Sequence, residues 1–268
     1  MIFLHTGSRA GKVALLFAIL VIALWWAQPA AAADLRQDAP ATPEPTSPAP
    51  VEQEASARSR SLYTGSVRGL VVSNTMHEQW YFEATGQTAD VYEEMQRSFL
   101  KGNCVGILPS PFNRTVALEI ERSQQSAAIA TISSPGFTVG RQVVQGFTAE
   151  AEDSSIAFQS TFLNVLLRSP EGRIHPYVGF GPGLTRSAID FNEETVTTEG
   201  FGFTESGEVS GFSYQLLVGF EVEVSARLSL GVGYRYFAAN PTFTWANGSQ
   251  STYDPRSHNF VLTLMVSG

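Results

Sequence analysis

Six charged residues hold most of the chemistry this sequence offers. Arg68, Glu119, Glu121, Glu221, Glu223 and Arg235 sit in segments that alternate apolar with small or polar residues, each on the face opposite the apolar row. Gathered in one enclosed space, two guanidinium groups and four carboxylates must pair, because a buried charge is very costly alone. The economical arrangement is a salt-bridge network that plugs the space. Lining an open path instead, the same groups would make a narrow porin-like channel for ions or small solutes, which is the alternative reading. Catalysis finds little support. The four histidines are His5, His77, His175 and His258, and a hydrolase needs a nucleophile and a base placed together. The one adjacent pair, Ser257 and His258, would point to opposite sides of a strand. A lipid-modifying enzyme would depend on that pair, so no enzyme is expected. Glu193, Glu194, Glu205 and Glu208 could attract a hard cation, but their spacing is not that of a calcium loop. They read as a solvated acidic segment, and neither metal nor cofactor is expected.

The elements that would position the six charges are strands. Arg227 to Phe237, RLSLGVGYRYF, places Leu228, Leu230, Val232, Tyr234 and Tyr236 on one face and Ser229, Gly231, Gly233 and Arg235 on the other. An apolar row ending in tyrosines suits a strand whose outside meets lipid and whose inside meets a lumen. Seven further segments repeat the pattern: Leu62 to Val72, Leu100 to Leu108, Thr115 to Arg122, Phe158 to Arg168, His175 to Ser187, Phe212 to Val224 and His258 to Ser267. In the first of them Tyr63, Val67 and Val71 form the expected lipid row, with Ser66 and Arg68 turned inward. Links between segments alternate long and short, as tight periplasmic turns and long external loops do in outer-membrane barrels. The expected fold is therefore all-β, an eight-stranded antiparallel up-and-down transmembrane β-barrel over residues 61–268. Its external loops would be Ser73 to Phe99, Ser123 to Ala157, Ala188 to Gly211 and Ala238 to Ser257. Within them Trp80, Tyr81, Phe82, Phe201, Phe203 and Trp245 are candidate exposed contact residues. An outer aromatic girdle would account for some of them equally well.

Composition sets the surroundings. Arg9 and Lys12 precede the apolar run Val13 to Ala27, and Ala31 to Ala33 offer a small-residue cleavage site, so residues 1–33 read as a secretory signal peptide. Asp34 to Arg60 is rich in Pro, Ala, Glu and Gln without apolar periodicity, which suits a solvated periplasmic tether over residues 34–60. The chain holds 17 Lys plus Arg against 25 Asp plus Glu, which argues against a nucleic-acid surface. Cys104 is the only cysteine, so no internal disulfide forms. A soluble periplasmic barrel is the remaining rival, and it would fractionate without detergent.

The runs HPYVGFGPGL (His175 to Leu184), Gln215 to Gly219 leading into LSLGVGYRYF, and HNFVLTLMV (His258 to Val266) resemble the small outer-membrane barrel proteins of Gram-negative bacteria. This is the porin-like, opacity-protein group that includes the OmpA transmembrane domain. The resemblance implies a fold in the outer membrane rather than an activity. Its partners would be outer-membrane lipid and lipopolysaccharide, the barrel-assembly machinery, and an extracellular ligand or host surface at the loops. Such chains usually end in an aromatic residue, whereas this one ends Met265-Val266-Ser267-Gly268, so the resemblance implies either that Phe260 serves instead or that assembly is inefficient.

Overall fold

The computed structural model describes residues 62–268 other than 84, 110–111, 113, 152–153, 191–206 and 245–249. The expected signal peptide and tether lie outside the described residues. Within them run eleven strands: β1 (Leu62–Phe82), β2 (Gln87–Met95), β3 (Ser98–Ile107), β4 (Val116–Val139), β5 (Gln142–Glu150), β6 (Ser155–Arg168), β7 (Ile174–Asp190), β8 (Gly207–Glu223), β9 (Leu228–Ala239), β10 (Thr242–Thr244) and β11 (Gln250–Ser267). Eight of them pair antiparallel in a closed circuit, β1–β3–β4–β6–β7–β8–β9–β11 and back to β1. Closure leaves no sheet edge within the circuit, which is what a strand protein needs in lipid.

The register gives the tilt. Stepping from partner to partner, Pro176 leads through Phe220, Val232, Leu262, Arg68, Lys101, Gln124 and Gln159 to Arg186, ten residues further along the same strand. Such a stagger is the mark of strands inclined to the barrel axis, typically by about 35–45°. One end of the circuit is closed by the short links β3–β4, β6–β7 and β8–β9. Leu62 and Gly268 meet at this same end, where the Gly268 amide donates to the Leu62 carbonyl at 3.1 Å.

The other end differs from the expected loops. β1, β4, β7, β8 and β11 continue past the lipid-facing rows, and β2, β5 and β10 are added where loops were expected. The physical reason lies in which side is apolar. Near the turns, Leu62, Leu70 and Val72 of β1 are exposed outward with Phe260, Leu262, Leu264 and Val266 of the adjoining β11. Past the bulge between Val71 and Ser73, Met76 and Trp80 turn inward while Thr75 and Gln79 face out. Two apolar clusters then fill the interior, one of Trp80, Ala89, Val91, Ile129, Ile132 and Ala151 and one including Met76, Ile156, Phe158, Phe243 and Tyr253. The chain is lipid-soluble outside over one stretch and water-soluble outside over the next, so the strands run on into water. Two tight turns cap the extension at Gly86 (φ 66°) and Gly140 (φ 62°), a left-handed backbone that favours glycine. The Gly140 amide donates to Gln87 Oε1 at 2.7 Å, tying one tip to the next hairpin.

Candidate functional site

Alternation turns every second side chain of the circuit into the lumen. From β4 come Glu119 and Glu121, from β6 Asn164, from β8 Gln215 and Glu221, and from β9 Arg235, all buried. Arg235 donates to Glu121 Oε1. Asn164 Nδ2 donates to Glu119 Oε1 at 2.8 Å and to Glu121 Oε2 at 3.1 Å. Gln215 Nε2 donates to Asn164 Oδ1 at 2.8 Å and reaches Glu121 Oε2 at 3.4 Å. The Tyr63 hydroxyl, from β1, donates to Glu119 Oε2 at 3.2 Å. Nearer the turns, Arg168 pairs with Glu221 at 3.0 Å. His175 accompanies Glu223 at 3.0 Å with its Nδ1 2.8 Å from the Ser169 carbonyl. On the extension side, the hydroxyls of Ser160, Thr185 and Ser213 form a chain of 2.7 and 2.8 Å links.

Bulky residues reach these positions because glycines stand opposite. A Cβ on Gly219 or Gly233 would come 2.7 or 2.6 Å from the Tyr177 hydroxyl, so the ring lies over bare backbone. The void between Ser123, Gln125, Phe158, Gln215 and Asn259 amounts to ≈ 10 Å³, the volume that admits about one water. Chemically the lumen is a polar plug in which Glu119, Glu121 and Glu221 each meet a donor.

Of the six charges expected inside, Glu119, Glu121, Glu221 and Arg235 are buried together, while Glu223 lies at the turn end with its side chain 37% exposed. Arg68 is a correction. It faces out of the barrel, and Tyr63, Val67 and Val71 of the same strand face in. Tyr63, Val67 and Val71, expected to face lipid, line the lumen, and Leu62, Leu70 and Val72 form the outer row. The lumenal wall accepts Val67 and Val71 because Leu100 and Val261 pack on them.

The loop aromatics divide. Phe201, Phe203 and Trp245 lie outside the described residues, as do Glu193, Glu194 and Glu205; Glu208 pairs with Arg186 on the outside. Tyr81 is exposed, but Trp80 is a second correction: it is buried, 6.4 Å from the ring of Phe82 and 6.0 Å from that of Phe137. Its position alternates with Tyr81, so only one of the two can face water. Ser257 is buried inward and His258 points outward between Tyr234 and Tyr236, so the two do not converge.

Sequence reading overlooked a second acidic cluster. Glu78 of β1 and Glu93 of β2 are both buried inside the extension beside Tyr253 of β11. Burial raises both carboxyls above the usual range, and the charge of Glu78 raises Glu93 further. Burial, then those two carboxylates, likewise raise the Tyr253 hydroxyl. The available signal was the alternation Met76, Glu78, Trp80, whose apolar members flank the acid.

Comparison with known proteins adds a family. Residues 77–267 match the model described as outer membrane protein beta-barrel domain. Among solved structures, neisserial surface protein A is similar over 77% of this chain and 97% of its own, at 12% identity and a TM-score of 0.43. The outer membrane protease OmpT from Escherichia coli is similar over 78% and 98%, at 6% identity and a TM-score of 0.45. Ail, the attachment invasion locus protein of Yersinia pestis, is similar over 75% and 99%, at 10% identity and a TM-score of 0.32. No curated protein matches the chain.

Proposed function

The chain belongs to the outer membrane protein β-barrel domain family, and from that membership we propose that it is a closed-lumen surface protein. Its work would be done by contacts of the strand extension and the connections it carries, not by transport or catalysis. One observation carries this reading: the Glu121–Arg235 pair, joined by Asn164 and Gln215, spans the lumen from wall to wall. A polar plug whose central carboxylates each meet a donor resists both ion passage and rearrangement.

The extension supports the second half. Its strands hold a rigid frame beyond the lipid-facing rows, and a rigid frame presents connecting segments to a partner at low ordering cost. In this reading the extension faces outside, the short turns face the periplasm, residues 1–33 direct export, and residues 34–60 tether the barrel on the periplasmic side. Lipopolysaccharide and outer-membrane lipid surround the wall, the barrel-assembly machinery inserts it, and an extracellular ligand or host surface meets the extension.

Two measurements test the proposal. The purified chain, folded in detergent and verified by its mobility on an unboiled gel, is reconstituted in a planar bilayer. Silence is expected, and discrete reproducible conductance steps would overturn the closed lumen. Separately, Thr88→Cys places a thiol on the exposed side of β2. Labelling of intact cells by a membrane-impermeant maleimide is expected, and labelling only after the outer membrane is opened would reverse the orientation.

A further inference from the structure

The outward position of Arg68 is not an isolated exception. Lys101 of β3 stands directly opposite it, Gln124 of β4 opposes Lys101, and Arg122 of β4 opposes Asn103 of β3. All of these side chains face out of the barrel, and with Gln159 of β6 they line one depression of ≈ 270 Å³ on its wall. Directly opposed residues on neighbouring strands hold their Cβ atoms about 5 Å apart, and like charges so placed repel.

Two further facts make the patch a site and not a solvated face. First, it lies in the lipid-facing belt on β1 and β3 and at the extension-side edge of that belt on β4 and β6. On β1 the exposed Leu70 and Val72 lie beyond Arg68 and Leu62 lies before it; on β3 exposed Phe99 lies on one side of Lys101 and Val105 and Ile107 on the other. On β4, Leu118 and Ile120 precede Arg122, and on β6 exposed Leu163 follows Gln159. Leu262, the neighbour of Arg68 on β11, is 63% exposed and apolar. Second, no acid answers the cations. Among the described residues, none of the six ion pairs involves Arg68, Lys101 or Arg122, and the outward residues of β1, β3, β4 and β6 over this stretch include no carboxylate. One guanidinium nitrogen of Arg68 bonds to the Val67 carbonyl at 2.8 Å and reaches that of Gly102 at 3.4 Å, which holds the side chain against the wall.

Three uncompensated cations at the lipid boundary call for an anion that arrives with the lipid. We propose that this depression binds the phosphate of an outer-leaflet glycolipid headgroup. Arg68, Lys101 and Arg122 supply the charge-assisted donors, Asn103, Gln124 and Gln159 donate to the sugar and acyl-linkage oxygens, and Phe99, Leu70 and Ile120 lie against the chains. Guanidinium suits phosphate because two parallel donors match two oxygens. The patch is nearer the extension end of the belt on β1 and β3, where an outward-facing leaflet places its headgroups. The assignment thus rests on the orientation proposed above, which the maleimide labelling tests independently.

The test uses the full chain, purified in a zwitterionic detergent, and the variant Arg68→Gln/Lys101→Gln/Arg122→Gln, with Arg173→Gln, in the β6–β7 turn at the opposite end of the barrel, as a control outside the patch. Heat-dependent gel mobility establishes that each is folded. Binding of a bisphosphorylated lipid A, of the same lipid with both phosphates removed, and of inorganic phosphate is then titrated. The expected result is saturable binding of the phosphorylated lipid, at least about tenfold weaker in the triple variant, unchanged in Arg173→Gln, and equally weak for the dephosphorylated lipid. Undiminished binding by the folded triple variant would overturn the assignment, as would tight binding of the dephosphorylated lipid. Inorganic phosphate binding as tightly as the lipid would overturn the lipid source. A triple variant altered only in its oligomeric state would point to a protein partner instead.

Discussion

Arg235 of β9 reaches Glu121 of β4 across the barrel, from a strand four places away in either direction around the circuit of eight. The two residues are 114 positions apart in the chain. No local element brings them together; only closure of the sheet does. The pair therefore reports on closure, and its partners Asn164 and Gln215 both donate to the remaining oxygen, Glu121 Oε2, so that the carboxylate is not left bare in the low-dielectric interior.

Removing one member strands the other. Arg235→Ala leaves Glu121 buried with amide donors alone, and such a broken pair costs about 3–5 kcal/mol. Replacing both, as Glu121→Leu/Arg235→Leu, removes the stranded charge and is expected to cost less than either single change. Urea unfolding in detergent, followed by the loss of the compact gel band, measures all three. Additive losses would show that the two residues do not act as a pair.

The second prediction concerns room instead of charge. Gly233→Ala puts a methyl where the Tyr177 hydroxyl lies 2.6 Å from the Cβ position, and overpacking of this kind costs about 1–3 kcal/mol. Tyr177→Phe deletes the colliding oxygen, so the double variant should recover most of the loss in the same unfolding assay. If the second change deepens the loss, the crowding is not at that oxygen.

The lipid belt has an end, and substitutions find it. Leu264→Arg places a charge on the exposed lipid row of β11 and is expected to cost about 2–4 kcal/mol near the middle of the bilayer. Gln79→Arg, outward on the extension past the Val71–Ser73 bulge, should stay within about 0.5 kcal/mol of the parent. Folding yield into lipid vesicles across a urea series separates the two, and a comparable penalty at Gln79 would extend the membrane into the region assigned to water.

How far the sequence could be read follows from the same boundary. β9 and the turn-end half of β11 were legible because an outward aliphatic row alternates with small inward residues, as Leu230, Val232, Gly231 and Gly233 do. The extension was not. There the outward residues are Thr75 and Gln79, and the inward ones mix Met76 and Trp80 with Glu78, so a search for a lipid-facing row passes over them. β1 misled for a related reason: Val67 and Val71 are apolar on the lumenal side and Arg68 is charged on the lipid side, the reverse of the rule that identified the other strands. The four lumenal charges that converge were visible as types at alternate positions. Their amide and hydroxyl partners were not, because a hydrogen-bond partner depends on which strands become opposite walls.

The buried acids of the extension make its stability depend on pH, and the direction can be worked out. Glu78 and Glu93 are raised by burial, Glu93 further by the charge of Glu78, so the folded extension holds its protons more tightly than an opened one. A group whose folded value lies above its unfolded value is worth most at a pH below the ordinary carboxylate range. Its contribution is lost as pH rises toward and through the raised value, because the closed state must then ionise a buried carboxyl or open. The nearby Tyr253 hydroxyl is itself raised and adds no charge over this range. The outward His77–Asp90 contact, at 3.0 Å, is exposed and screened by solvent, so it contributes little. Amide hydrogen exchange in β2, corrected for intrinsic rates, should thus be faster at pH 8 than at pH 5. Glu93→Gln keeps the shape, removes the titrating proton, and should abolish most of that difference by slowing exchange at pH 8. If the variant instead retains the full pH dependence of the parent, the buried acids do not control the opening.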